Sequence, residues 1–320
     1  MNLSELSPKW ELLGINDTRS VKTIRLDPAS KPDLYLGLKE NQERCLVLKL
    51  PDSFEADFQS SVKQNLSLEL FRETRWVILT LLDDQFNDLF DDLLFSIFHK
   101  IWEISEASLY VSEFLNTFYK WSEFFQENQS DGLSDDEVRG LLGEMLVLQE
   151  KLLDIPSGQV NDVLQSWTGP YDTGQDFTGQ FFNSEVKTRL NTSATVKISG
   201  EYQLQPDPGK NLELIIITIR PDHAGTSLTS AALGIRDFVI KAMGDYTLFL
   251  KAIGRKGLTI HSMVNYDHLL FKPVDMVTYQ ASADDFPRLD REGLHPAITG
   301  VSYKLTVQAL SPWIINEKTY

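Results

Sequence analysis

The sequence predicts an α/β core preceded by a β-rich and helical N-terminal domain and followed by a β-rich C-terminal extension. Three observations carry that expectation. Short β-rich runs crowd the first 51 residues, a helix start signal stands at Ser134, and Leu212 to Arg220 (LELIIITIR) is nearly all apolar with the β-branched content of a central strand. The 320 residues can bury a sizeable core, and length alone favours two domains or one domain with a large insertion. Hydrophobic content of 42% and charged content of 24% are those of a folded globular chain.

In chain order, VKTIRL (21 to 26), DLYLGLK (33 to 39) and RCLVLKLP (44 to 51) read as antiparallel strands, with ENQE (40 to 43) as a turn. Trp76 to Leu82 reads as a fourth strand. Beyond it, Phe86, Leu89, Phe90, Leu93, Leu94, Ile97 and Ile101 recur at helical spacing, which predicts a helix from about Asp84 to Ser105. Its acidic residues Asp83, Asp84, Asp88, Asp91 and Asp92 point different ways around a helix. They are expected to form a solvated acidic first turn, favoured by the helix dipole, rather than a metal cluster.

A second helix is expected over Ala107 to Gln126, and the polar stretch ENQSDG (127 to 132) marks the domain boundary. Ser134 followed by Glu137 is an S-x-x-E capping box, which starts a helix running to about Leu153. A Gly-rich stretch follows SWTGP, then FFNSEVKTRL as a strand, the long apolar strand from 212, and a helix over 227 to 243. After Gly257, LTIHSMV, VDMVTY and VSYKLTV read as short β runs, and GRKG (254 to 257) reads as a solvated hairpin tip or a phosphate-contacting basic turn. There is no internal repeat.

Several function classes are disfavoured. Met1 to Ile15 is broken by Glu5, Pro8, Lys9 and Glu11 and lacks the apolar core of an export signal, and no apolar run approaches the roughly 20 residues that span a bilayer. A soluble, cytoplasmic protein is expected. The one cysteine, Cys45, has no partner for a disulfide or a cysteine zinc site and is expected to be a buried thiol. The five histidines show no ligand spacing, no serine sits in a G-x-S-x-G elbow, and no phosphate-binding loop is present. A net charge of −16 argues against unaided gripping of a phosphate backbone. The charge is uneven: Glu185 to Gly257 holds ten Lys or Arg against seven Asp or Glu.

Four residues carry the chemistry. Glu144 has Leu141 and Leu148 as its neighbours at helical spacing, so its carboxylate lies on or beside an apolar stripe, where it is expensive unless paired or metal-bound. The bland alternative is a stripe-edge Glu reaching solvent. Asp176, in TGPYDTGQDFTGQ, alone reads as turn chemistry. In a strand, Glu185 and Lys187 share a face while Val186 points to the other, and an E-x-K tripeptide by itself is equally a surface ion pair. The combination is more specific: a helical Glu, an Asp nine residues before E-x-K, then a hydrophobic strand and a helix. The hard oxygens of Asp176 and Glu185 suit Mg²⁺, and Lys187 would lie where it can orient a water or offset developing phosphate charge.

LLGEMLVL, SWTGP, QDF, EVKT and ISGEYQL, with LYLGLKENQERCLVLKLP and the acidic helix after Trp76, resemble a bacterial family of PD-(D/E)XK motif proteins, relatives of restriction endonucleases, over roughly residues 10 to 310. The resemblance implies a restriction-endonuclease-like core at 131 to 255, an N-terminal domain at 1 to 130 and an extension at 256 to 320. It implies a Mg²⁺-dependent DNA endonuclease, with Mn²⁺ able to substitute, in a bacterial restriction or phage-defence system. Glu144, Asp176 and Glu185 would be metal ligands, Lys187 would complete the catalytic set, and Gln203 would contact metal-bound water or DNA. Gln175 stands where the family usually has His, and Gln-Asp replaces the literal Pro-Asp. Expected partners are double-stranded DNA, a methyltransferase or ATPase from the same operon, and a second copy of the chain, with no membrane. The acidic surface leaves two other readings open: a catalytically silent nuclease-fold scaffold in a defence complex, and an acidic DNA mimic that binds another nuclease or ATPase.

Overall fold

A computed structural model describes residues 5–14, 21–63, 65–125, 132–171, 174–200, 203–289, 293, 295, 297–298 and 300–320. The chain divides into two compact units, Met1–Glu127 and Asn128–Tyr320. All but Gly132 of the polar stretch 127 to 132, and the expected helix end at Gln126, lie outside the described residues.

The first unit opens with α1 (Leu6–Gly14) and contains one six-stranded antiparallel sheet. Its strands are β1 (Val21–Arg25), β2 (Asp33–Lys39), β3 (Arg44–Lys49), β4 (Ser61–Lys63), β5 (Leu66–Phe71) and β6 (Trp76–Leu81), in the order β1-β2-β3-β6-β5-β4. Register aligns Leu36 with Leu46, Leu46 with Leu79, and Leu79 with Leu68, so four fully buried leucines cross the sheet on one face. Cys45, Val47 and Ile78 form a smaller cluster with Tyr35 and Trp76. The strand expected fourth is therefore the sixth. The two between were missed although LSLELF alternates, because polar and charged residues surround it.

The helix expected from Asp84 begins as a 3₁₀ turn, Asp84–Phe86, capped by Asp83, and continues as α2 (Asn87–Ile101). The second expected helix is α3 (Ala107–Ser122). The solvated acidic turn is only partly realised. Asp92 is buried, and Asp91 accepts hydrogen bonds from Trp10 Nε1 at 2.8 Å and from Arg44 Nη1 at 3.2 Å. An acid this close to an indole N–H and a guanidinium repays part of its lost hydration.

The second unit is built on a five-stranded mixed sheet ordered β13-β11-β10-β8-β7. Its strands are β7 (Phe177–Thr178), β8 (Phe182–Leu190), β10 (Asn211–Thr226), β11 (Phe271–Gln280) and β13 (Ile314–Thr319). β9 (Thr195–Ile198) and β12 (Tyr303–Thr306) form a separate antiparallel pair. β8 and β10 are parallel, with Leu214 beside Glu185 and Ile216 beside Lys187. The helices are α4 (Asp135–Leu153), α5 (Val160–Ser166), α6 (Leu228–Lys241), α7 (Tyr246–Arg255) and α8 (Ile260–Met263).

α4 begins at the capping box: Ser134 Oγ accepts from the Glu137 N–H, and Glu137 Oε2 accepts from the Ser134 N–H at 2.8 Å. It presses on β8 at Gly143, where an added Cβ would overlap Thr188 Oγ1. Leu212, Leu214 and Ile216 pack under β9 and β12 with Val196, Ile198 and Leu305.

Two short-range expectations are overturned. LTIHSMV is helical because Thr259 and Ser262 form a capping box that opens α8. GRKG is the end of α7 rather than a hairpin tip, and the chain leaves through Gly257 at φ +71°. The stretch after residue 256 supplies β11 and β13 to the same sheet as β8 and β10. Among the described residues, no helix is long and apolar enough to cross a membrane.

Candidate active site

β7 is only two residues long, and its pairing with β8 ends at Ser184. From Glu185 onward that edge of β8 has no strand beside it in the sheet among the described residues, and Asp176 fills the place: its Oδ2 accepts the Val186 backbone N–H at 2.7 Å. The hydrogen bond that a longer β7 would supply is thus made by a carboxylate, which fixes Asp176 beside the strand that carries E-x-K. Gly169 and Thr168 donate their backbone N–H groups to the Asp176 carbonyl, at 2.9 and 2.8 Å, and tie the preceding turn to it.

Glu144 arrives from α4. Its Oε2 accepts from Trp167 Nε1 at 2.8 Å, and the Trp167 ring, itself buried, stacks on Phe249 of α7 with centroids 5.6 Å apart. Gly169 lies between the two acids. A Cβ there would run into Glu144 Oε2 and come within 2.8 Å of Asp176 Oδ1, so only glycine lets both carboxylates close on this spot. On β8, Glu185 is 1% exposed, and Lys187 Nζ donates to its Oε1 at 2.6 Å.

Burial, and then the Asp176 charge, pushes the Glu144 carboxyl from 4.5 up to about 8, against the opposing indole hydrogen bond. The same two causes push Glu185 up to about 8 despite Lys187. Burial also raises Asp176, although the Val186 N–H and the charges of Lys187 and Lys256 pull the other way. Glu144 and Asp176 keep partial access to cleft water, which moderates the size of these shifts but not their direction. Three acids in one poorly hydrated place resist sharing it as anions, and such a place attracts positive charge.

These groups line one cleft of about 590 Å³. Its wall includes Glu144, Gly169, Asp176, Glu185, Lys187 and Gln203, so every site residue expected from sequence meets here. Gln203 Oε1 accepts the Ser199 backbone N–H at 2.7 Å, which ties Gln203 to the residue that follows β9. Gln175, next to Asp176, is buried: its Oε1 accepts from Asn183 and its Nε2 donates to the Gln205 carbonyl.

Sequence reasoning missed the cations Arg139, Arg189, Lys197 and Lys256 of the same wall. The basic excess of residues 185 to 257 is the trace of Arg189, Lys197 and Lys256, the last of them also part of GRKG, while Arg139 leaves none. Arg139 is paired with Asp136, and Arg189 donates to Thr218 Oγ1 and to the Ser193 carbonyl. Trp167 was also unassigned, although its place in SWTGP was noted.

Among the described residues, no group of three or more His, Cys, Asp or Glu side chains is gathered closely enough to enclose a metal ion. Glu144, Asp176 and Glu185, the expected metal ligands, line one cleft, and Lys187 takes one of the Glu185 oxygens. The other, Oε2, is buried with no hydrogen-bond partner. An orphaned carboxylate oxygen beside a second acid fits a hard divalent cation of the Mg²⁺ kind, which takes one or two carboxylates and completes its shell with water and phosphate.

A family model described as "Putative PD-(D/E)XK family member, (DUF4420)" matches residues 6–308. No curated protein and no solved structure matched the chain.

Proposed function

The chain belongs to the DUF4420 family, and from that premise we propose that it is a divalent-metal-dependent endonuclease that hydrolyses phosphodiester bonds of double-stranded DNA. The observation that carries the reading is the meeting of Glu144, Asp176, Glu185 and Lys187 at the open edge of β8. Nucleases of the PD-(D/E)XK superfamily generally use divalent metals. In this reading the second unit is a restriction-endonuclease-like core, and the protein serves a bacterial restriction or phage-defence system beside methyltransferase or ATPase subunits.

Asp176 and Glu185 would hold Mg²⁺, or Mn²⁺ in its place, with Glu144 holding a water of its shell. When bound, the metal supplies Lewis-acid polarisation of the scissile phosphate. The protein's own groups do the remaining work. Trp167 fixes the Glu144 carboxylate through its indole N–H, and the Val186 N–H fixes Asp176. Lys187, placed by Glu185, donates to a non-bridging phosphate oxygen where negative charge grows in the transition state. In the hydrolysis the oxygen of water bonds to phosphorus, one bridging P–O bond breaks, and the departing oxygen ends protonated.

The test is nicking or linearisation of supercoiled plasmid by the full chain with Mg²⁺ or Mn²⁺, alongside Asp176→Ala and Lys187→Ala. Metal-dependent cleavage lost in both variants is the expected result. A net charge of −16 favours the other reading, a silent nuclease-fold scaffold. Equal inertness of wild type and variants, with partner subunits supplied, would establish that scaffold instead.

A further inference from the structure

Three of the acids that line the cleft, Glu144, Asp176 and Glu185, carry three negative charges when ionised, and the fourth, Asp136, is paired with Arg139. Lys187 stands against one of them, Glu185. The C-terminal end of α7 reaches the same cleft through its C-cap residue, Lys256. Asp245 caps the helix by accepting the Thr247 N–H. Tyr246 stacks on Phe249, and Phe249 on Trp167, the residue that fixes Glu144. At the C-terminus Gly257 donates its N–H to the Gly254 carbonyl and Leu258 to that of Ile253, and Gly257 turns the chain out at φ +71°. Lys256 is therefore set by a capped and stacked helix, not by a loop. It lines the cleft together with Glu144, Gly169 and Asp176.

We propose that Lys256 is the cation that opposes Glu144 and Asp176 in this site, as Lys187 opposes Glu185, and that it limits how tightly the cleft holds a divalent ion. The inference rests on the nuclease reading of the cleft. Its charge acts on both carboxylates in the lowering direction, and on Glu137 as well. A fixed positive charge beside Glu144 and Asp176 opposes the arrival of further positive charge in a poorly hydrated space. Lys256 lies about 70 residues beyond the E-x-K strand and belongs to none of the motif residues.

The experiment is a Mn²⁺ titration followed by electron paramagnetic resonance, on the full chain and on Lys256→Met, Lys256→Arg and Asp176→Asn, with plasmid cleavage measured in parallel. Wild type should bind Mn²⁺ in a manner abolished by Asp176→Asn. Lys256→Met should bind Mn²⁺ on the order of tenfold tighter, because a repelling charge is gone. The same variant should cleave at least tenfold more slowly, and Lys256→Arg should restore both properties. Opposite movement of metal affinity and cleavage is what a merely structural lysine would not produce. Unchanged Mn²⁺ binding in Lys256→Met, or binding and cleavage falling together, overturns the role of Lys256 and leaves the nuclease reading standing. Absence of Asp176-dependent Mn²⁺ binding in wild type removes both.

Discussion

Metal-free protein should lose stability as pH rises, and Glu144→Gln should abolish a defined part of that loss. In the folded chain burial holds the Glu144 carboxyl at about 8 against an ordinary 4.5. Below pH 4.5 both states are protonated and the group contributes no difference. Between 4.5 and 8 the unfolded chain gives up its proton while the folded chain keeps it, so the folded state binds more protons and stability falls with rising pH. Each pH unit in that window is worth up to about 1.4 kcal/mol, which gives an upper figure of roughly 3 kcal/mol by pH 7. Water in the cleft and the neighbouring Asp176 reduce this to on the order of 1–2 kcal/mol. Glutamine is neutral throughout, and its amide oxygen can still accept the Trp167 N–H. Urea unfolding in EDTA at pH 5 and pH 8 reads the effect as the difference between variant and wild type. Glu144→Gln should be close to wild type at pH 5 and more stable at pH 8, and Mg²⁺ at 100 times its Kd should raise wild type by about 2.7 kcal/mol. If the difference between the two proteins is the same at both pH values, Glu144 is ionised in the folded state and the account of the cleft as short of positive charge fails.

Other substitutions probe the frame around the acids. Gly143→Ala forces a Cβ into Thr188 at the contact of α4 with β8 and should lower stability by about 3 kcal/mol; pairing it with Thr188→Ala in a double-mutant cycle should return a large part of that, and strict additivity would place the strain elsewhere. Gly169→Ala should leave the melting temperature nearly unchanged while weakening Mn²⁺ binding at least tenfold, since the new methyl group separates Glu144 from Asp176; a melting temperature that collapses would instead mark Gly169 as a folding residue. Cys45, fully buried with burial pushing its thiol up to about 12, should not react with a thiol reagent in the native protein and should react at once in urea.

The residues of the cleft were legible wherever local periodicity fixes a direction. The two-residue period of a strand puts Glu185 and Lys187 on one face, and the capping box at Ser134 sets where α4 starts and hence where Glu144 lies on it. What joins these pieces is not local. Asp176 works as a site residue because β7 stops after two residues, and a strand's stopping point depends on its neighbours. Gly169 looks like one more turn glycine until the carboxylates on either side are placed. α7 is legible in principle, since half of YTLFLKAIGR is strong helix formers and Tyr246, Phe249, Leu250 and Ile253 recur at helical spacing, but ten residues are a short stretch and the stack on Trp167 is what gives it a place in the site. LTIHSMV shows a plain error, with β-like composition overruled by a Thr-Ser cap.

The charge of the chain and the charge of its cleft act on different events. At −16 the protein repels a phosphate backbone at long range, so its surface works against electrostatic steering. Within a Debye length of about 8 Å the whole-surface charge matters less than what lies nearby. There Arg139, Lys187, Arg189, Lys197 and Lys256 line the same wall as the acids. Arg139, Lys187 and Arg189 are already pinned by side-chain or carbonyl partners, so little ordering entropy remains to be lost when a phosphate arrives. In the proposed activity the acidic surface therefore slows encounter, whereas the chemistry depends on the fixed cleft. Within the nuclease reading, that division locates the use of a basic partner subunit at the delivery of DNA, not at bond cleavage.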